Sequence, residues 1–465
     1  MKLSMLFVAF SLVSTSFAAP FNGEDLYVPG LSLHPAAKHE LSALNRNTAQ
    51  YTVINYDYHK ILHQSNQLLQ AYFQRQKVYG VNSDHDGHVF ESVLNFFENA
   101  NIPYIFSGAI GEGECKRYDE SCLRIQQDLP YRLDGLDCMT FVQDVLALVQ
   151  SNSLTAFQTH LQAINYGAYD QTKTKSYLNR NNFTSSDFNR VNQQSGLITD
   201  VTAYGPFSNF IDYLPEKVID HKTWFENKAQ PQNIQSNIRV LPQYEDNADE
   251  IVARFTNGYA DDFAKIDIEK FSYIPKEALV RKVGSDYQPN EVLLNQLITP
   301  SVVEFVREDS KWLIAGKPIS EVIGSNLIVS HMGILYKASF SQHEIIYQNI
   351  QCDYNPSGQK QCIVTPVICD QKRCDKVMLM AASSAYPNGF IYSKKNGAEQ
   401  YACTPENEIP KGYQSLRNKI SNEPVTCNRV FSMPLGEYLA SKQYGKYPYM
   451  ESESLVGVSI QKINI

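Results

Sequence analysis

Residues 131–150, YRLDGLDCMTFVQDVLALVQ, set one cysteine, Cys138, at the start of a helix that must be buried. From Phe141 to Val149 the chain is apolar on nearly every side, with only Gln143 and Asp144 polar. A helix that is apolar all round has no face to give to water, so other elements must wrap it. Asp134 or Asp137 stands where an N-cap belongs. That puts the Cys138 sulfur beside unpaired backbone N–H groups and the positive end of the helix dipole. Thiols so placed fall from about 8.5 into a range of about 3.5–7.5. Cys138 is therefore a nucleophile or, on the plainer reading, a packed and inert cysteine.

The rest of the chain bounds these two readings. Its 465 residues are 43% hydrophobic and 19% charged, which is enough for a large core and excludes global disorder. A net charge of -8 with no Lys/Arg run argues against a nucleic-acid partner. The opening MKLSMLFVAFSLVSTSFAAP reads as a cleavable signal peptide, with Lys2, an apolar run and small residues around Ala18 and Ala19. No later stretch approaches the roughly 20 apolar residues of a membrane span, so the expectation is an exported protein, periplasmic or secreted.

Cysteine usage fits an oxidising compartment. Eight cysteines can pair, and Cys138 is left over. One pairing by proximity is Cys115 with Cys122, Cys352 with Cys362, Cys369 with Cys374 and Cys403 with Cys427. Zinc is disfavoured, because none of the spacings is C-x-x-C.

Along the chain, helical spacing marks residues 58–78, 88–99 and 154–164. From Leu293 onward strand signals dominate: SVVEFVRE, KWLIAG, SNLIVSHMGILYK, HEIIYQNIQ and KVMLMAASS. The expected organisation is a signal peptide (1–19), an extended arm (20–57), a helical half (58–202), an insertion or lid (203–290), a β half (291–400) and a C-terminal extension (401–465). In SNLIVSHMGILYK, period-2 alternation places Leu327, Val329, His331, Gly333 and Leu335 on one face. The His331 imidazole is then expected to project toward an apolar side where a buried helix lies. A lone histidine on such a face is usually a hydrogen-bonded core residue. Beside a helix-terminal cysteine it also suits a Cys–His pair, which needs no fixed sequence spacing.

At this point several segments carry a resemblance. YRLDGLDCMTFVQDVLAL resembles the "fDCtTFVE.vLAL" nucleophile motif of the N-acetylmuramoyl-L-alanine amidase-like family, a branch of the NlpC-type, papain-like cysteine peptidases. IPYIFSGAIGEGE is similar to its "tPYv.gtLe" segment, YLNRNNFTSSDF to "sRNHyfsdW", GLITDVT to "glv.DVT", and SHMGILYK to "tHvGfv", all in the family's order. The resemblance implies an α+β, papain-like fold with a nucleophile helix on an antiparallel sheet. It also implies hydrolysis of the amide joining N-acetylmuramic acid to L-alanine in peptidoglycan fragments, without metal or other cofactor. Carried over residue by residue, Cys138 is the nucleophile, His331 the base, Tyr104 an oxyanion contact and Arg180 a carboxylate contact on the stem peptide. One departure stands out. Where the family's next strand ends in "HASS", this chain has LMAASS, with Ala381 in place of the orienting histidine. Ser383, Ser384 or a residue from another segment is then left to orient His331, or catalysis is impaired. Two other functions stay open: an endopeptidase or acyltransferase on the same scaffold, and a catalytically weak protein that binds muropeptides.

Overall fold

The computed structural model describes residues 58–78, 86–100, 102–104, 131–167, 180–221, 223, 266–284, 286–314, 316–354, 360–383, 390–394, 400–404, 411–415, 417, 429–440, 442–443, 447–448 and 452–465. Helices α1 (Tyr58–Val78) and α2 (Asp86–Ala100) turn Leu69, Tyr72, Phe73, Val93, Leu94 and Phe97 inward, as their spacing requires. Helix α2 packs on α3 (Cys138–Val149), in which every residue from Thr140 to Val149 is buried. Each fully buried large apolar side chain there contributes roughly 1.5–3 kcal/mol, so α3 is held by its surroundings on all sides. The cap is Asp137, whose carboxylate accepts from the Thr140 N–H at 2.7 Å while the Thr140 hydroxyl accepts from the Asp137 N–H at 3.0 Å. This reciprocal pair closes the first turn. Asp134, the other contender for the cap, is engaged by the Arg132 guanidinium.

Helix α4 (Leu154–Tyr166) starts at Ser153, which caps Ala156 N–H, and stops at Gly167 with a positive φ of 87°. A five-residue π-turn (Thr184–Phe188) then leads into α5 (Asn189–Gln194).

These helices lie on an antiparallel sheet. Its strands are β1 (Ile198–Asp200), β2 (Asp212–Tyr213), β3 (Ser272–Pro275), β4 (Ser301–Arg307), β5 (Val329–Ser341), β8 (Arg373–Ser383), β9 (Arg429–Pro434) and β10 (Leu455–Ile463), while β6 (Ile345–Tyr354) and β7 (Lys360–Ile368) form a separate hairpin. The spatial order is β9-β8-β5-β4-β10-β3-β2, with β1 pairing β10. One face carries α1–α4 against Val302, Met332, Ile334, Met380 and Ala382. The other carries α6 (Leu435–Ala440) against Val303, Phe305, Leu335, Leu379 and Ala381. Because both faces are covered, residues 301–306 of β4 are all buried and show no polar alternation.

Described segments of 203–290 and 401–465 belong to this layer: the first range supplies strands β2 and β3, and the second supplies β9 and β10, with α6 packed on the sheet's face. The reading of these ranges as a lid and an extension missed that contribution. The bridge from Cys369 to Cys374 is present, and Cys352 faces Cys362 in the β6/β7 ladder. Cys115, Cys122 and Cys427 lie outside the described residues, as do the signal peptide and the arm. No helix among the described residues is long and apolar enough to cross a membrane.

Candidate active site

Cys138 is the first residue of α3 and a free thiol. Backbone hydrogen bonds from Met332 on β5, and from Cys138 and Met139 themselves, favour its thiolate. Burial outweighs them, and with the Asp137 carboxylate alongside it pushes the thiol up to about 12. The dipole argument alone gave the opposite direction, because a buried anion loses more hydration than a helix end restores.

His331 is one residue from Met332, and its ring lies on the other face of the sheet. It sits 5.3 Å from the Phe305 ring and 6.4 Å from that of Tyr438 on α6, between centroids. The face that α3 covers takes Met332 and Ile334 instead. Two features fix this facing. An added Cβ on Gly333 would come within 2.6 Å of Leu379 and 3.0 Å of Ala381, so that position is pressed onto β8. The β5/β4 register also shifts between Val329 and His331, so the extra residue Ser330 takes Val329 off the His331 face. The expected common face therefore holds for His331, Gly333 and Leu335 and fails for Val329, and the helix it meets is α6. His331 Nε2 is buried without a hydrogen-bond partner. Burial, then the Arg307 charge, drives its pKa down to about 3. In this arrangement the thiol and the imidazole are both neutral and are not bonded to each other.

The other expected residues fall as follows. Tyr104 bridges to Leu136, two residues before Cys138, and packs against the same core. Its segment is held by Leu136 N–H on Pro103 O at 3.0 Å and Val430 N–H on Ile102 O at 2.9 Å. Arg180 is buried and donates from Nε to Asn165 Oδ1 at 3.3 Å, while its Nη1 has no partner. Ser383 ends β8, and carrying the Ile334↔Met380 register onward brings it opposite His331. Ala381 lies on the His331 face, one strand over. Ser384 lies outside the described residues.

Two groups escaped the sequence reading. Glu304, fully buried on β4 and directly across from Met332, receives Asn189 Nδ2 at 3.2 Å. Burial raises its carboxyl to about 8, with Asn189, Ser459 and Gln461 pulling it back in part. An acidic residue inside the apolar run SVVEFV was the available signal. The second is the π-turn. Asp187 accepts the Asn182, Phe183 and Phe188 N–H groups at 3.1, 2.7 and 2.9 Å. His221 stands 3.8 Å from Asp187 and 3.0 Å from Asp267. Thr184 of this turn contacts the Met332 sulfur at 3.8 Å, so the turn forms one wall beside the thiol.

The sequence profile of the N-acetylmuramoyl-L-alanine amidase-like (AmiA-like) family matches residues 115–356, more than half of the chain. This chain belongs to that family. The amidase-like family match spans α3, the π-turn, β4 and β5, and so includes both Cys138 and His331. Among solved structures, protein LPG0564 from Legionella pneumophila, described as DUF1460, is 20% identical over 87% of this chain and 96% of its own, with a TM-score of 0.53. That similarity supports the shared α+β fold. An N-acetylmuramoyl-L-alanine amidase from Bacteroides uniformis is 16% identical over 82% of this chain and 99% of its own, with a TM-score of 0.38. No curated protein matches the chain.

Proposed function

We propose that this amidase-like protein is an exported cysteine hydrolase that cleaves the amide between N-acetylmuramic acid and L-alanine in peptidoglycan fragments, on a papain-like, NlpC-type scaffold. The observation that carries the reading is the free Cys138 at the capped N-terminus of α3, facing the backbone of the residue next to His331. In the reaction, the Cys138 thiol gives its proton to His331 and the sulfur attacks the lactyl carbonyl. The tetrahedral oxyanion, held by the Cys138 N–H with Tyr104 near it, collapses and expels the L-alanine amine, which takes the proton from His331. Water then cleaves the thioester and frees Cys138. Arg180 would meet a stem-peptide carboxylate. For His331 to serve, its ring must reach the α3 face, and the irregular pairing at Ser330 is where β5 can yield.

A specific observation favours a second reading. His331 is held neutral between Phe305 and Tyr438, and Ala381 stands where an orienting histidine is expected. Both suit a weak catalyst that mainly binds muropeptides.

Mass spectrometry of muropeptide digests separates the readings. Free peptide beginning in L-alanine, lost in Cys138→Ala and His331→Ala, supports the amidase. Cleavage inside the peptide would move the assignment to an endopeptidase. Binding without turnover in the wild type would leave only the binding protein.

A further inference from the structure

The end of β4 nearest His331 gathers positive charge from Lys276, Arg307 and Lys311. Lys276 is only 9% exposed. Its ammonium donates to the Ser452 carbonyl at 2.7 Å and makes no ion pair among the described residues. Burial lowers its pKa, and Arg307 and Lys311 push the same way against Glu277 and Glu453. A buried cation without a carboxylate partner is costly unless something else supplies the negative charge.

Arg307 lies beside it, with its guanidinium 5.0 Å from the Trp312 ring centroid. It donates from Nε to Ser330 Oγ at 2.5 Å, and from Nη1 to Ser452 Oγ at 3.1 Å and Ser454 Oγ at 2.6 Å. The acidic neighbours Glu308 and Asp309 are bonded to Lys217 at 2.6 and 2.8 Å.

The hydroxyl protons complete the picture. All three serine oxygens accept from Arg307, and Ser452 and Ser454 share one further hydrogen bond at 3.1 Å. Among the described residues, the Ser330 O–H and one O–H of the Ser452–Ser454 pair have no acceptor. A surface of cations and spare hydroxyl donors is matched by a ligand that only accepts, and a carboxylate is the compact case.

We propose that Lys276, Arg307 and Lys311, with the hydroxyls of Ser330, Ser452 and Ser454, form a subsite that receives a carboxylate of the stem peptide. The identity of that ligand rests on the amidase reading, while the carboxylate chemistry does not. Ser330 directly precedes His331, and the Met332 backbone bonds Cys138, so an occupant here lies beside His331 on the strand that Cys138 meets. A bound carboxylate would also offset the Arg307 charge, one of the two influences that hold His331 neutral.

Trp312, stacked with Arg307, is the natural reporter, and Trp224→Phe leaves it as the single tryptophan. Full-length protein titrated with glutarate should show a saturating fluorescence change, whereas glutaramide, its uncharged counterpart, should show none. Lys276→Gln should weaken glutarate binding about tenfold, as expected for loss of a charged hydrogen bond. Ser454→Ala should weaken it by a smaller factor and serves if Lys276→Gln does not fold. With muropeptides, an amidated stem should raise KM about tenfold over the free acid with kcat little changed. Equal response to glutarate and glutaramide, or glutarate binding unchanged in Lys276→Gln and Ser454→Ala, would overturn the subsite. Normal glutarate binding with no muropeptide cleavage would instead remove the amidase reading and leave the carboxylate subsite standing.

Discussion

At the scale of single residues, burial outweighs every contact that favours the Cys138 thiolate. Cys138 has the helix end and three backbone hydrogen bonds on its side, yet the Asp137 charge and the loss of hydration keep it a thiol. The cap and the charge can be separated, because asparagine caps a helix as well as aspartate. Asp137→Asn should therefore keep α3 intact and remove the negative charge, raising the iodoacetamide rate at pH 8 by on the order of tenfold. An unchanged rate would show that Asp137 does not act on the sulfur. Glu304 gives a pH-dependent counterpart. Its carboxyl titrates near 8 when folded and near about 4.3 when unfolded. Between those values the unfolded chain holds fewer protons, so stability falls as pH rises through that window. The loss reaches on the order of 3 kcal/mol by pH 7. Glu304→Gln should thus melt higher than wild type at pH 7.5, with the gap closing toward pH 4.5. A gap independent of pH would mean that the carboxyl is not the cause.

At the scale of elements, the π-turn and the β5 irregularity aim the site. The Asp187 carboxylate accepts from the Asn182, Phe183 and Phe188 N–H groups, the last of which also donates to the Phe183 carbonyl at 3.1 Å. Asp187→Ala would remove this shared acceptor, at about 1–3 kcal/mol for each N–H left without another partner. The expected outcome is a melting point lowered by several degrees and faster hydrogen exchange confined to residues 182–190. Uniform exchange across the chain would argue against a local role. Helices were the most legible elements: the apolar spacing gave α1, and the run that is apolar on nearly every side gave α3 and its burial. The direction of His331 was not legible, because period-2 alternation says which residues share a face and not which helix covers it. Ser330, the extra residue of β5, carries no sequence mark, since a serine suits a regular strand as well as a bulge. The Arg307 and Lys276 cluster was equally hidden, because its parts come from residues 276, 307, 330, 452 and 454, and only the sheet brings them together.

At the scale of the whole molecule, the last strand closes the fold. β10 lies between β4 and β3 and gives Leu455, Val458 and Ile460 to one face and Ile463 to the other. Its sequence LVGVSIQKI offers only partial alternation, because seven of its nine residues are buried, polar Ser459 and Gln461 among them. That mixture is why it escaped notice as a core strand. Gly457 records how closely it is seated: a Cβ there would come within 2.1 Å of the Ile274 carbonyl oxygen, a backbone atom that cannot step aside. Losing the four apolar side chains removes roughly 6–12 kcal/mol at about 1.5–3 kcal/mol each, which matches the whole stability of a typical domain of about 5–15 kcal/mol. Deleting residues 452–465 should therefore abolish the cooperative thermal transition, and Gly457→Ala should lower its midpoint sharply, both read by near-UV circular dichroism. A truncated chain that still melts cooperatively near the wild-type midpoint would mean that β10 is dispensable and that the sheet is complete without it.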